Sequence, residues 1–525
     1  MDSKHEQVTP HTTKSDKEKT QPMIKTSTSH APLTISQHRA DGSHAAQIIP
    51  FAPEYAATPK AHPKTLKTPA QPQLEASDIR DDTDNTIARL FIRHYGDNHR
   101  YVTDAGHWIH WNGDAWHNVS KAQAVHDDLR NLRQLIAGQR STHLQTVVDS
   151  VIKKLSNDGS KNSVIHYLEH ESALAVLGCQ VDASDSIVAF QNAACDLSSG
   201  KIIRGKKDLR ALLHTRRMSV LYDKKAACPR WKEFLDSVFC GDKELISYVQ
   251  KAVALSLSGE VSEEYLFFAH GKGANGKTTF FETLRRIFGD YHLELDASVL
   301  TKSRLDNNGV NMQFKARLKG IRFATTNEIA DQSEFNDLEV KRLSSRDQIT
   351  ARKLYHEPCE FAPSHKLWVR SNHKPRFNVT DNALLRRIVL IPFNRYFSEK
   401  ERVNRYEDVL LAEKSGILNW LLQGWNMYQK EGLALPAVCR KEMEKYVGEC
   451  DYVARFLSEC CLEGCSDKIM LKELRLQYNA WADRNDCPLL TSGELSARLK
   501  AKNIMVCNGK ANQLYVHGYR FAAGG

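Results

Sequence analysis

The sequence lacks the features that mark secreted and membrane proteins. Its 12 cysteines in 525 residues are far too sparse for a disulfide-stabilised scaffold. The start, Met1-Asp2-Ser3-Lys4-His5, leads into polar sequence and not into the apolar core of a signal peptide. No run of about 18 apolar residues, the length that crosses a bilayer, occurs in the chain. We therefore expect a cytoplasmic protein with reduced thiols and no membrane partner.

Residues 1–84 have few large apolar side chains, and those few follow neither helical nor strand spacing. The segment is instead rich in Thr, Ser, His, Lys, Gln and Pro. Such a composition buries too little apolar surface to offset the entropy of ordering the chain. It predicts a disordered polar tail, and a tether for a partner protein or for DNA is the functional alternative.

Neither the net charge nor the cysteine pattern identifies a ligand by itself. The charge of +10 favours an anionic partner such as nucleic acid, but a solvated basic surface explains it equally well. A cluster of cysteines near residue 460 suggests zinc, but it lacks two CxxC pairs, so ordinary thiols are favoured. The cysteines of this cluster are Cys450, Cys460, Cys461 and Cys465.

The apolar pattern divides the rest of the chain into four parts. Residues 85–260 are predicted to form a mostly helical N-terminal domain with a hairpin between Trp108 and Trp116. Short buried strands are expected in residues 261–395, followed by a helical extension over 396–449 and a last domain over 450–525. Within the first part, helical segments are expected at 87–92, 122–137, 144–155, 164–177 and 228–257, with a turn-rich segment at 185–204.

The last 76 residues have the pattern of a winged helix. Four large residues repeat at helical spacing, and Thr491 with Glu494 has the spacing of a helix-capping pair. A strand-like segment at 513–516 follows, so the order is helix, helix, hairpin. The four residues at helical spacing are Leu471, Leu474, Tyr478 and Trp481.

Residues Gly271 to Thr278 match the phosphate-binding pattern G-x-x-x-x-G-K-[ST]. The apolar run 265–269 before them is typical of a buried parallel strand, and the apolar residues after them repeat at helical spacing. Strand, loop and helix are the setting that this motif requires, which favours it over a glycine-rich turn with a solvated lysine.

The residue types of this loop suit a nucleotide triphosphate with magnesium. Glycines let backbone N–H groups approach phosphate oxygens, and the following helix adds its positive N-terminus. Lys277 is expected to reach the β- and γ-phosphates of ATP, and the Thr278 hydroxyl to hold Mg²⁺. The predicted nucleotide-binding residues are Gly271, Lys272, Gly273, Ala274, Asn275, Gly276, Lys277, Thr278 and Thr279.

Hydrolysis of ATP needs further groups, and candidates follow the next predicted strands. Glu328 ends one strand and could polarise water, although it could also be a surface residue. Asn372 ends another and could sense the γ-phosphate or form part of a turn. Arg386 and Arg387 precede a third strand and could stabilise charge at a neighbouring subunit's phosphate, or form surface ion pairs.

Taken in order, these residues resemble superfamily 3 helicases. They most resemble the phage- and plasmid-type primase–helicase C-terminal family, whose ATPase is related to poxviral D5-like proteins. The resemblance covers roughly residues 85–525. The matching residues are Gly273 through Thr278, Glu328, Lys341-Arg342-Leu343, Asp347 through Arg352, Lys366 through Asn372, Pro375, and Arg386 through Phe393, with Tyr222-Asp223, Cys228 through Trp231 and Trp420 in the flanks.

The resemblance implies an α/β fold with an AAA+-like P-loop ATPase core, assembled as a homo-hexameric ring that moves 3′ to 5′ on single-stranded or forked DNA. It makes Glu328 the catalytic acid, which also supports Mg²⁺ through water. It makes Asn372 the phosphate sensor, and Arg386 or Arg387 the finger between subunits. The implied DNA-contacting residues are Lys341, Arg342, Arg352, Lys353 and His356.

The sequence departs from the family pattern in two places. Asn327 stands before Glu328, so the site lacks a paired acid and magnesium would rest more on Thr278 and water. The polar tail occupies the place of the primase or polymerase domain of larger relatives. A separate primase or polymerase is therefore expected as a partner, in a bacterial cytoplasm.

Two functions fit the sequence. The first is an ATP-dependent replicative DNA helicase of a phage, plasmid or other mobile element. The alternative is a replication initiator that recognises an origin and uses nucleotide as an assembly switch. A small-molecule kinase is disfavoured because it gives no role to the sensor and finger residues.

Overall fold

The computed structural model describes residues 74, 78–138, 145–302, 308–352, 358–509 and 512–522. Most of the predicted tail lies outside these residues, and so do Lys353 and His356. Contacts divide the chain into residues 1–69 and 70–525, and the described residues all belong to the second unit. None of the helices in the described part is long and apolar enough to cross a membrane.

The N-terminal region combines a helical cluster with a four-stranded sheet. Strand order is β3-β2-β1-β4, antiparallel except for the parallel pair of β1 and β4. The predicted hairpin is confirmed, and the Asn112 side chain accepts hydrogen bonds from the backbone of its turn. The elements are α1 (Asp84–Tyr95), β1 (His99–Val102), β2 (His107–Trp111), β3 (Trp116–Val119), α2 (Gln123–Ala137), α3 (Gln145–Ser156), α4 (Asp158–Glu169) and β4 (Ala175–Val176).

The next segment departs from the sequence prediction in two respects. The helix expected over 164–177 ends at Glu169, and the turn-rich segment 185–204 forms a three-stranded antiparallel sheet. Helices remain the larger share of regular structure up to residue 260, but two small sheets stand among them. The elements are β5 (Ile187–Ala189), β6 (Ala194–Asp196), β7 (Lys201–Ile203), α5 (Lys206–Ala211), α6 (Pro229–Val238) and α7 (Lys243–Ala254).

A five-stranded parallel sheet forms the centre of the chain, in the order β14-β8-β13-β10-β9. Its inner strands are almost wholly buried, as expected when both faces of a parallel sheet are covered. Strands β11 and β12 form a separate antiparallel pair. The elements are β8 (Leu266–His270), α8 (Lys277–Phe288), β9 (His292–Leu295), α9 (Asn308–Ala316), β10 (Phe323–Thr326), α10 (Asp337–Ser344), β11 (Ile349–Ala351), β12 (Cys359–Phe361), β13 (Lys366–Ser371), α11 (Asn382–Leu385) and β14 (Ile388–Pro392).

The C-terminal region begins with helices and ends with a small mixed unit. The four residues expected on one helix face are all buried in α16, and Thr491 and Glu494 cap α17 reciprocally as predicted. Helix α14 lies within the helical extension expected over 396–449, whereas α15 and β15 were not predicted. The elements are α12 (Tyr406–Leu411), α13 (Lys414–Glu431), α14 (Ala437–Cys450), α15 (Tyr452–Cys460), β15 (Cys461–Met470), α16 (Leu471–Arg484), α17 (Ser492–Ala501), β16 (Val506–Asn508) and β17 (Leu514–Phe521).

One hydrophobic core joins the central sheet to segments before and after it. Trp231 of α6 is fully buried and stacks on Phe280 of α8, with ring centroids 5.6 Å apart. Trp420 of α13 meets the same indole edge-on at 5.5 Å. This core therefore contains residues from both sides of the boundary predicted at residue 260. The domain boundaries given in the sequence analysis stay predictions.

Two buried cations tie the segment before β8 to the central sheet. The Arg322 guanidinium donates to the carbonyl oxygens of Leu257, Ser184 and Ile187. The Lys366 ammonium donates to the carbonyl oxygens of residues 258 and 260, at 2.6 Å each, and burial lowers its pKa to about 7. Because backbone carbonyls satisfy both cations, the penalty for burying them is partly offset.

We expect Trp231→Ala to lower the free energy of unfolding by about 3–5 kcal/mol, because it leaves a cavity between three helices. Leu221→Ala is the matched control, since Leu221 is 49% exposed and its loss should change stability by less than about 0.5 kcal/mol. Urea unfolding followed by circular dichroism measures both. Equal midpoints for the two variants would contradict the role assigned to the Trp231 contact.

Candidate functional site

The loop between β8 and α8 has a backbone that glycine makes possible. Gly276 adopts a left-handed φ of 82°, and a Cβ there would approach the Val238 side chain to 2.7 Å. A Cβ on Gly271 would collide with the carbonyl oxygen of Phe393. Helix α8 begins at Lys277, so the free N–H groups of its first turn face the end of this loop.

The buried side chain of Asn275 fixes the loop from inside. Its amide nitrogen donates to the Phe393 carbonyl at 3.2 Å, and its oxygen accepts the Lys277 N–H at 3.3 Å. Phe393 directly follows β14, the strand beside β8. The loop is therefore held in one conformation by the neighbouring strand before any ligand binds.

Lys277 connects the loop to the end of a second strand. Its ammonium donates to the carbonyl oxygen of Gly271 and to the side-chain oxygen of Asn372, the latter at 2.7 Å. Burial lowers the pKa of Lys277 to about 8, and the nearby Glu328 carboxylate offsets part of that shift. The site thus holds a cation whose charge is only partly neutralised by its surroundings.

Glu328 stands beside the same pair. The backbone N–H of Asn372 donates to its carboxylate at 3.2 Å, and the side chain is exposed to solvent. Strands β10 and β13 are parallel neighbours, so residues that follow their ends meet at one edge of the sheet. The structure therefore brings together Lys277, Glu328 and Asn372, which the sequence predicted separately. Asn327 instead accepts the Ala297 N–H, at 2.7 Å.

A cleft of about 520 Å³ opens beside the loop. The exposed Thr278 hydroxyl belongs to its wall together with Thr279, whereas Lys272 and Gly273 are exposed at the loop's tip. The far wall of the cleft could not be predicted from the sequence, because no local motif marks its residues. That wall includes Phe234, Arg402, Arg405 and Tyr406.

The two arginines before β14 differ in their surroundings. Arg387 is buried and donates to Glu264 and to the Ala383 carbonyl, both at 2.8 Å, whereas Arg386 is exposed. They precede Ile388, which pairs with the first residue of β8, whereas the loop follows the last residue of β8. Both arginines therefore lie at the opposite end of these strands, roughly 15 Å from the loop along five strand residues. They are too far away to contact a ligand bound at the loop of their own chain.

The candidate DNA-contacting residues are scattered over α10 and the β11–β12 pair. Lys341 is half-buried and forms an ion pair with Asp381 at 2.8 Å, and Arg342 is exposed beside Glu339. Arg352 follows β11, and the described chain resumes at residue 358, just before β12.

The segment after Asn372 contacts the C-terminal region. Lys374 pairs with Glu449 at 3.0 Å, and the Tyr446 hydroxyl donates to the Pro375 carbonyl. Arg376 donates to the carbonyl oxygen of Asp486 at 2.7 Å. The sensor candidate and the C-terminal helices are thus joined by polar contacts from three consecutive residues.

The cysteine cluster near residue 460 does not form a metal-ligand group in the described part of the chain. Its cysteines are free, and burial raises the pKa of Cys450 and of Cys461 to about 11. High thiol pKa values disfavour the thiolate form that binds zinc. The interpretation as ordinary thiols stays a prediction.

Two family profiles match parts of this chain. The family described as D5 N terminal like matches residues 88–240, and a family of unknown function matches residues 269–387. The solved apo structure of the NrS-1 C-terminal region aligns with a TM-score of 0.48 and 10% identity, over 83% of this chain and 99% of that one. That similarity is too low to support a statement about the fold.

Curated relatives come from large DNA viruses. A candidate helicase of Acanthamoeba polyphaga mimivirus is 25% identical over 446 residues, covering 77% of this chain and 46% of that protein. The primase D5 of fowlpox virus is 23% identical over 317 residues, covering 57% and 37%. The chain thus spans less than half the length of either relative. At this low identity, the matches support a similarity of the chain to D5-like superfamily 3 helicases and primases.

Proposed function

We propose that the protein is an ATP-dependent replicative DNA helicase of a phage, plasmid or other mobile element. The observation that carries the proposal is the meeting of Lys277, Glu328 and Asn372 at one edge of a parallel sheet, beside a glycine loop and a helix N-terminus. The names of the viral relatives support a role in DNA replication, as helicase or primase.

ATP is the substrate that this arrangement fits. The N–H groups at the start of α8 and the ammonium of Lys277 would bind the β- and γ-phosphates, and the cleft beside Thr279 leaves room for the nucleoside. On γ-phosphate binding, Lys277 would exchange its contact with the Gly271 carbonyl for phosphate oxygens. Asn372 would respond to that exchange, because its side-chain oxygen accepts a hydrogen bond from the same ammonium.

Each remaining group has a role in hydrolysis. The Glu328 carboxylate is exposed and would accept a proton from the attacking water. The residues also fit Mg²⁺, because the exposed Thr278 hydroxyl stands at the first turn of α8 and a carboxylate lies nearby. Bound magnesium would neutralise charge on the phosphates, with Thr278 as direct ligand and Glu328 acting through water.

The placement of the arginines supports an assembly in which subunits share each site. Arg386 is exposed at the sheet edge opposite its own loop, so it could reach only the phosphate of another copy. Head-to-tail contacts close into a ring when the rotation between subunits closes, and form open filaments when it does not. The proposed assembly is a closed homo-hexamer that moves 3′ to 5′. Arg387 has a different role in this proposal, since its pairing with Glu264 fixes the start of β14.

The β11–β12 pair is the proposed DNA contact. Its connecting segment carries Arg352, Lys353 and His356, and α10 before it carries Lys341 and Arg342. Such contacts to phosphates would be independent of sequence and sensitive to salt. Forked or single-stranded DNA is the proposed substrate, and a separate primase or polymerase the proposed partner.

The alternative function is a replication initiator that binds an origin. The observation in its favour is the element order α15, β15, α16, α17, β16, β17, with a three-stranded antiparallel sheet, which fits a winged helix that binds DNA. ATP hydrolysis that single-stranded DNA does not stimulate, together with sequence-specific duplex binding, would favour the initiator over the helicase.

Lys277→Ala should lower ATP hydrolysis by at least about a hundredfold and abolish strand displacement, because it removes the cation that meets the phosphates. Glu328→Gln should keep ATP binding but lose hydrolysis. Lys441→Ala is the matched control, because Lys441 is exposed on α14 and should retain both activities. Strand displacement by Lys277→Ala at the rate of the unaltered protein would reject the helicase proposal.

ATP affinity should fall as the pH rises through about 8. Lys277 has a pKa held below its usual value, so it is charged below about pH 8 and neutral above it. Affinity should then approach a tenfold loss for each pH unit above that value. Binding of a fluorescent ATP analogue from about pH 7 to about pH 9 measures the effect. Lys277→Arg stays charged in that range, so its ATP affinity should not change with pH. An equal decline of affinity in this variant would show that a group other than Lys277 causes the pH dependence.

Mixing inactive variants tests whether Arg386 acts between subunits. Arg386→Ala and Lys277→Ala should each be inactive alone. Equal mixing should restore roughly a quarter of the ATP hydrolysis of the unaltered protein, because one interface in four then pairs an intact Lys277 with an intact Arg386. No recovery on mixing, with subunit exchange verified by labelled chains, would contradict the shared site.

A further inference from the structure

A cluster of metal-ligand side chains lies in the N-terminal region, far along the chain from the candidate ATP site. His99 on β1 and His110 on β2 are directly paired across the two antiparallel strands, so their side chains share one face of the sheet. Helix α2 places Asp128 on that face, where its carboxylate oxygen lies 2.8 Å from Nε2 of His99.

The geometry of the three side chains suits a small divalent cation. Their ligand atoms, one from each residue, all lie within 4.8 Å of one another. Ligands around a tetrahedral zinc ion stand about 3.3 Å apart, given metal–ligand distances of roughly 2.0–2.2 Å. Binding therefore requires the atoms to close by about 1.5 Å, which rotation of the half-buried His110 and Asp128 side chains allows. Among the described residues, no other group of histidine, cysteine or acidic side chains converges in this way.

The donor set also suits a metal. Imidazole binds metals through an unprotonated ring nitrogen that offers a lone pair. His99 is fully buried, which shields one of these donors from solvent. Two imidazole donors and one carboxylate would supply a single negative charge, so a divalent cation would leave the cluster with one net positive charge.

We propose that His99, His110 and Asp128 form a binding site for a divalent transition metal of the zinc type. The ligand set of two imidazoles and one carboxylate matches the preference of zinc for nitrogen and oxygen donors. Metal at this site would link β1 and β2 to α2 and so stabilise the N-terminal region. A hydrogen-bonded histidine–aspartate pair without metal is the competing explanation.

The experiment uses the full chain, stripped of metal with a chelator and then titrated with Co²⁺ or Zn²⁺. The chain has 22 histidines, so bound metal is compared between variants and not read from one protein alone. We expect one tightly bound equivalent, a visible absorption band with Co²⁺ and a higher melting temperature with Zn²⁺. His110→Asn and Asp128→Asn should each weaken binding at this site by at least about tenfold, because each removes a direct ligand.

His107→Asn is the matched control, because His107 lies three residues from His110 on β2 and so faces the other side of the sheet. It should keep the metal and the absorption band. Asp128→Asn retains a polar partner for His99, and circular dichroism of the metal-free variants verifies that they fold. Equal metal binding by the unaltered protein and by both ligand variants, or equal loss in His107→Asn, would overturn the proposal.

Discussion

Because β8 and β13 run parallel in adjacent positions, the chain leaves both strands at the same edge of the sheet. That pairing places Asn372 beside Gly271, and Lys277 can then reach both residues from the first turn of α8. The parallel pairing of β10 with β13 adds Glu328 to the same edge. The convergence of three side chains from distant parts of the sequence therefore depends on strand order.

The loop itself needs support that its glycines do not supply. Gly271 and Gly276 permit the turn, but Asn275 holds it by bonding to the carbonyl that follows β14. The same strand begins next to Arg387, whose ion pair with Glu264 anchors its other end. Strand β14 thus stabilises the loop between β8 and α8 at one end. Under the proposed function, it presents Arg386 to a neighbouring subunit at its other end, so that a single sheet would take part in two sites of the proposed ring.

Four strands of the central sheet, β8, β10, β13 and β14, could be predicted from the sequence, because buried parallel strands are continuous apolar runs and the loop has a specific motif. Strand β9 was not predicted, because its four residues alternate polar and apolar side chains and form no apolar run. The capping of α17 was also predictable, since Thr491 and Glu494 act locally. The strands β5, β6 and β7 were not, because three residues are too few to show a period. The burial of Arg387 depends on Glu264, which lies 123 residues earlier, and no local pattern predicts such a pair.

Arg322 and Lys366 have a practical consequence for anyone who wishes to isolate the central sheet. Their acceptors include Ser184, Leu257 and Ser258, all of which precede β8. A fragment that starts at residue 261 would retain both cations but lose every one of these carbonyl groups. Unsatisfied buried charge is costly. Such a fragment would therefore have a lower free energy of unfolding than one that keeps these carbonyl groups, although it contains all five strands of the sheet. A fragment that begins before Ser184 would keep these bonds and is the better choice for biochemical work.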